Sequence, residues 1–191
     1  MRSSSASQRA RSFSLLGIEQ ADVPSNSLLK SYLGKSPERW RGYQDCFRVR
    51  VTRRVELGEF VVAFYTTPLF RLERLLLFAL LGVRSSDADA AALMAGAGHT
   101  FAAWYEGARN PHQLLMCDCN ETTRSWFMVE AAGEDTWLCF GSAVASRPDE
   151  RAMPARFHWF LGLHVLYSKL LLASAARRLA RNARDRSVRK T

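Results

Sequence analysis

The spacing of apolar residues changes period several times along this chain, and each period predicts an element. From Asp45 to Val51 the alternation is strict, with Phe47, Val49 and Val51 on one side and Cys46, Arg48 and Arg50 on the other, as a half-buried strand requires. From Glu56 the period becomes helical, with Leu57, Phe60, Val61 and Phe64 recurring at spacings of three and four. Thr66-Thr67-Pro68 interrupts it, because proline suits the first helical position and disrupts an interior. A second helix is therefore predicted from Pro68 to Leu81, closed by Gly82. Its run LLLFALLGV follows Arg71, Glu73 and Arg74, so it falls short of the ~20 apolar residues of a membrane span and predicts a buried helix. Ser86, with Asp89 three residues on, marks a further helix start.

Beyond His99 the pattern turns to strands. HTFAAWYEGA, QLLMCDC, RSWFMVEAA and TWLCFGSAVAS are separated by Arg109-Asn110-Pro111, Asn120-Glu121-Thr122-Thr123 and Gly133-Glu134-Asp135, which are rich in turn formers. Four strands in an antiparallel meander, added to the first, make five. Alternation puts Tyr105 with Phe101 and Ala103, and Phe127 with Ser125 and Val129. Glu106, Arg124 and Glu130 then belong to a solvated face or to cross-strand ion pairs. Arg147-Pro148-Asp149 ends the sheet, and one long helix is expected from Met153.

That helix begins with FHWFLGLHVLYSKLLL. At ~100° per residue, His158, Gly162, Lys169 and Ala173 share a narrow polar edge, whereas His164 falls among Phe157, Phe160, Tyr167 and Leu171. The polar edge argues against a span. Arg177, Arg178 and Arg181 later occupy angles held by Trp159, Phe160 and Leu163, so the helix is expected to leave the core near Ala175.

The formal charge of +9 adds little to this picture once it is located. Arg2, Arg9 and Arg11 at one end, and seven basic residues against Asp185 from Arg177 onward at the other, account for all of it. The intervening body is neutral and lacks a basic, aromatic-interleaved surface, so nucleic acid is the weakest partner class. The basic tail offers an electrostatic contact with an anionic membrane or an acidic partner. Domain organisation follows: residues 1–42 as a mobile basic leader with a short helix-turn region at Ser27 to Tyr32, 43–176 as one domain, and 177–191 as a basic tail. The Ser/Arg-rich start carries no h-region, and Cys46, Cys117, Cys119 and Cys139 read as free thiols of a reducing cytosol. The Asn120-Glu121-Thr122 sequon then has no use.

Few residues point to chemistry. Cys117 and Cys119 on one strand stand about 6.6 Å apart, beyond the ~4.6 Å that two thiolates on one zinc allow, and no second ligand pair follows. The six-residue separation of His158 and His164 likewise misses the spacing of a shared helical metal site. No metal and no cofactor is expected. Gly141-Ser142-Ala143 is not a nucleophile elbow, although Ser142 or Cys139 could meet His164 in space, since triads join distant positions.

The order strand, helices, meander, long helix resembles the helix-grip fold of the Bet v 1-like (START/SRPBCC) superfamily. Gly42-Tyr43-Gln44-Asp45-Cys46-Phe47, AFYTTPLFRLERLLL, TRSWFMVE and FGSAV resemble an uncharacterised bacterial family within it. The resemblance implies an α+β fold in which an antiparallel sheet curls around the C-terminal helix, with an apolar pocket between them for lipid-like or polyketide-like molecules. The expected pocket is walled by Tyr105, Phe127 and Phe140 from the strands and by Phe160, His164 and Tyr167 from the helix. Three functions remain open: non-catalytic binding of a hydrophobic molecule, a cyclase or dehydratase using His164 as general acid or base with Tyr167 or Tyr105 assisting, and an interaction module tethered by its tail.

Overall fold

The computed structural model describes residues 17–40, 43–145 and 155–188, with side chains described for all of these but residues 81, 155–161 and 183–188. Twelve elements follow one another: β1 (Ile18–Gln20), α1 (Leu28–Gly34), β2 (Gln44–Val51), α2 (Leu57–Tyr65), α3 (Pro68–Leu81), α4 (Asp87–Met94), β3 (Thr100–Phe101), β4 (Trp104–Asn110), β5 (Gln113–Asp118), β6 (Thr123–Ala132), β7 (Asp135–Val144) and α5 (Ala155–Val188). The strands form one open antiparallel sheet in the order β1-β2-β7-β6-β5-β4-β3. The chain is thus α+β, with a long C-terminal helix lying on the sheet.

Local chemistry sets the helix boundaries where the spacing predicts them. Glu56 and Glu59 form a capping box at the start of α2. Thr67 accepts from the Phe70 amide with Pro68 at the first position of α3, and Gly82 closes that helix at φ 69°. Ser86 and Asp89 cap α4 reciprocally.

The inner face of the sheet carries an aromatic core. Phe60, Phe64 and Tyr65 of α2 meet Phe127 and Phe140 of the central strands, with the Phe64 and Phe140 rings 4.7 Å apart and Tyr65 stacked on Phe101 at 4.4 Å. Leu171, Leu172, Ala175 and Leu179 of α5 close this core.

Several expectations are corrected. The sheet has seven strands and not five, because β1 pairs with β2 and because HTFAAWYEGA is no single strand. Phe101 pairs with Trp104 across a two-residue turn in which Ala102 takes φ 51°, so β3 and β4 form a hairpin. Residues 18–40, expected in the leader, belong to the body. Ile18 joins the inner core, while Leu29, Leu33 and Trp40 cover Leu115, Trp126 and Met128 on the outer face. Arg124 on that face is therefore fully buried and not solvated, held by Glu121, by the rings of Tyr32 and Trp40, each 4.7 Å away, and by the expected kind of cross-strand ion pair, to Asp118 of β5 at 3.6 Å. Glu130 is exposed, and Glu106 pairs with Arg109.

α3 is not a buried helix. Phe70 reaches the core, but Leu72, Leu75, Leu76, Phe78 and Leu80 are exposed, because α2 and α5 already fill the inner face of the sheet. Nor does α5 leave the body at Ala175: Leu179 is buried and Arg178 donates to the Thr66 carbonyl. No helix among the described residues is long and apolar enough to cross a membrane.

Candidate functional site

Between α5 and the β6–β7 end of the sheet lies a cavity of about 220 Å³. Phe64, Tyr65, Phe70, Trp104, Phe127 and Phe140 give it aromatic walls, and His164, Tyr167, Ser168 and Leu171 line it from the helix. A wider groove, about 620 Å³, runs at the opposite end of the same strands. Its Arg109 is tied to Glu106 and to the carbonyls of Leu93 and Met94, so the smaller cavity is the better candidate.

A polar cluster stands at one side of the cavity, and strand register builds it. Asp45 of β2 lies opposite Ser142 of β7 on the inner face. Gly141 permits the approach, since a Cβ there would come within 2.9 Å of the Asp45 carbonyl oxygen and 3.0 Å of Trp126. Asp45 Oδ1 accepts from the Ser142 amide at 2.9 Å and from its hydroxyl at 2.7 Å, while Oδ2 accepts from the Tyr43 hydroxyl at 2.8 Å. Ser142 Oγ is also 2.8 Å from His164 Nε2, which stands 3.6 Å from Asp45 Oδ2.

One hydroxyl proton cannot serve both neighbours of Ser142. A carboxylate only accepts, so the Ser142 proton goes to Asp45 and the serine oxygen accepts from His164 Nε2–H. This polarity opposes that of a Ser-His-Asp triad, in which the imidazole takes the serine proton. Asp45 is wholly buried, whereas the His164 side chain is 37% exposed at the cavity rim. Burial, then the Asp45 charge and hydrogen bond, push the Tyr43 hydroxyl up, so it stays a donor.

A second polar pair joins α3 to α5, where Tyr167 donates to Glu73. Burial pushes the Glu73 carboxyl up, partly offset by this bond. Tyr167 is itself raised, by burial first and by the Glu73 charge second. Trp104 and Ser168 also border this cavity, and their Nε1 and Oγ atoms are closed off from solvent with no hydrogen-bond partner among the described residues.

Of the residues expected in the pocket, Phe127, Phe140, His164 and Tyr167 are brought together here. The Phe160 and His158 side chains lie outside the described residues. Tyr105 does not line the cavity and bonds instead to Glu121, because the β3–β4 turn reverses the alternation and presents Trp104 in its place. Cys139 does not meet His164: it packs with Cys46 in the outer cluster, where burial pushes both thiols up to about 12. Cys119 is exposed beyond the end of β5, and Asp118 holds the following turn by accepting from Thr122 and Thr123. Among the described residues no three potential ligands gather around a metal position.

Asp45, Glu73 and Trp104 escaped the sequence reading. Asp45 breaks the apolar series that Phe47, Val49 and Val51 continue on one face, which was a visible signal. Glu73 stood out only as an interruption of an apolar run. Compared with known proteins, the chain matches no family model, no curated protein and no solved structure.

Proposed function

We propose that this chain is a helix-grip domain that holds a compact hydrophobic molecule between its sheet and C-terminal helix and orients it without transforming it. The observation that carries this reading is the aromatic cavity bordered by Ser142 and His164 over the buried Asp45. Such a combination of apolar walls and a few convergent polar groups is what small-molecule sites need for affinity and orientation. At about 220 Å³ the space is below the ~300–1,000 Å³ of drug-sized pockets, which favours a ring compound over a long acyl chain. Binding is favoured over acid-base turnover because Nε2 of His164 is spent as a donor to Ser142, and Tyr167 is spent on Glu73.

Native mass spectrometry of freshly purified protein should show a co-purifying small molecule. Val144→Trp, which fills the cavity from the end of β7, should remove it. A Val144→Trp protein that retains the same bound mass would overturn the assignment to this cavity. So would a wild type that carries no bound mass and whose melting temperature no small aromatic compound raises.

A further inference from the structure

We infer that the outer face shared by α3 and α5 docks on the surface of an anionic lipid bilayer, placing its leucines among the acyl chains while arginines on the same face meet lipid phosphates. The inference goes beyond the cavity reading and does not depend on what the cavity holds. The fold leaves an apolar surface uncovered on this side: Leu72, Leu75, Leu76 and Leu80 of α3 and Leu163, Leu166 and Leu170 of α5 are each at least 39% exposed. Tyr167 bonds to Glu73 across the two helices, with Leu72 and Leu76 within a turn of Glu73 and Leu166 and Leu170 within a turn of Tyr167. The exposed leucines of the two helices therefore adjoin. Single leucines on a surface need no explanation, whereas a contiguous group marks a surface of contact.

Charge identifies what covers it. At ~100° per residue from Tyr167, Leu163, Leu166 and Leu170 fall between about 260° and 320°, and the exposed Arg177 and Arg181 fall at about 280° and 320°. Leucines and arginines thus follow one another along one side of α5, opposite the buried Leu171, Leu172, Ala175 and Leu179. Beyond the end of α3, the Arg84 guanidinium lies over Phe78 at 4.9 Å. Nearby carboxylates are committed elsewhere, Asp87 to Arg71 and Arg74, Asp89 to Ser86 and Glu73 to Tyr167. Arg84, Arg177 and Arg181 have no ion-pair partner among the described residues. A second copy, meeting this face by a two-fold contact, would present the same leucines and the same arginines, with no carboxylate to receive them. An anionic bilayer supplies apolar depth and phosphates together and demands no matching shape. No described helix is long and apolar enough to cross it, so the contact is with its surface.

The full chain is mixed with phosphatidylcholine vesicles, with or without about 30% phosphatidylglycerol, and the bound fraction is read by flotation. Binding should be about fivefold or more stronger with the anionic lipid and should fall as salt rises. Leu75→Ser combined with Leu166→Ser should weaken it about tenfold or more, because two leucines lose their burial. Arg177→Ala combined with Arg181→Ala is an independent variant that should weaken binding to the anionic vesicles about tenfold and leave the neutral ones unchanged.

A wild type that floats with neither vesicle, or equally with both, overturns the inference. So does a leucine double variant that binds anionic vesicles as tightly as the wild type, or an arginine double variant that does. A wild-type dimer in sedimentation velocity that the leucine variant turns into a monomer would assign the face to a second copy instead. Each of these results leaves the co-purifying molecule expected in the cavity unaffected, so the two readings fail separately.

Discussion

Asp45 shows how one buried carboxylate positions a site. It collects the Tyr43 hydroxyl and both donors of Ser142, which leaves the serine oxygen free to accept from His164 on a different element. Charged acceptors bond more strongly than neutral ones, so the histidine is held by a chain rooted in the sheet. Glu73 is the contrasting case, a carboxyl that burial pushes up and that only Tyr167 relieves. A folded value above the unfolded 4.5 means that the unfolded chain loses this proton first as pH rises. The penalty is absent at acid pH and develops above about pH 4.5. Glu73→Gln keeps a partner for Tyr167 without the ionisation, so its stability in urea should gain on the wild type between pH 4 and 7. A constant difference across that range would show that Glu73 is not desolvated in the folded protein.

The elements differ in how much they contribute to the core. α2 places Phe60, Phe64 and Tyr65 among the strand aromatics, all at 3% exposure or less, whereas Leu76 of α3 is 54% exposed. Phe64→Ala should cost about 3–5 kcal/mol in chemical denaturation, as large-to-small changes in aromatic cores do. Leu76→Ser should stay within about 0.5 kcal/mol. Equal losses would mean that α3 packs more deeply than its exposed leucines indicate. The limits of α2, α3 and α4 were legible in the sequence because caps and breakers act over three or four residues: Glu56 with Glu59, Thr67 with Pro68, Gly82, and Ser86 with Asp89. Which face of α3 is covered was not legible, since composition does not say that α2 and α5 have already taken the sheet's inner face. Tyr105 was misplaced for a local reason: alternation was carried through Ala102, where nothing but the φ of 51° announces the turn.

At the scale of the whole molecule the sheet is covered on both faces, and the second cover comes from the start of the chain. Leu29, Leu33 and Trp40 lie over Leu115 and Trp126, both fully buried, so a chain beginning at residue 43 would expose this outer cluster. Such a truncation should bind a hydrophobic dye and aggregate at concentrations where the full chain does not. A truncated protein that stays monomeric and unfolds as cooperatively as the full chain would show that the outer layer is dispensable. By itself the sequence determined the element order, most helix ends and the apolar character of the inner strand faces, because these arise from periodicity and from neighbours a few residues away. Only the tertiary structure decided that Asp45, Ser142 and His164 meet, that Trp104 replaces Tyr105 at the cavity, and that residues 18–40 belong to the body. Those contacts join distant residues, Asp45 and Ser142 being 97 positions apart, and strand register and competition for the sheet's two faces select them.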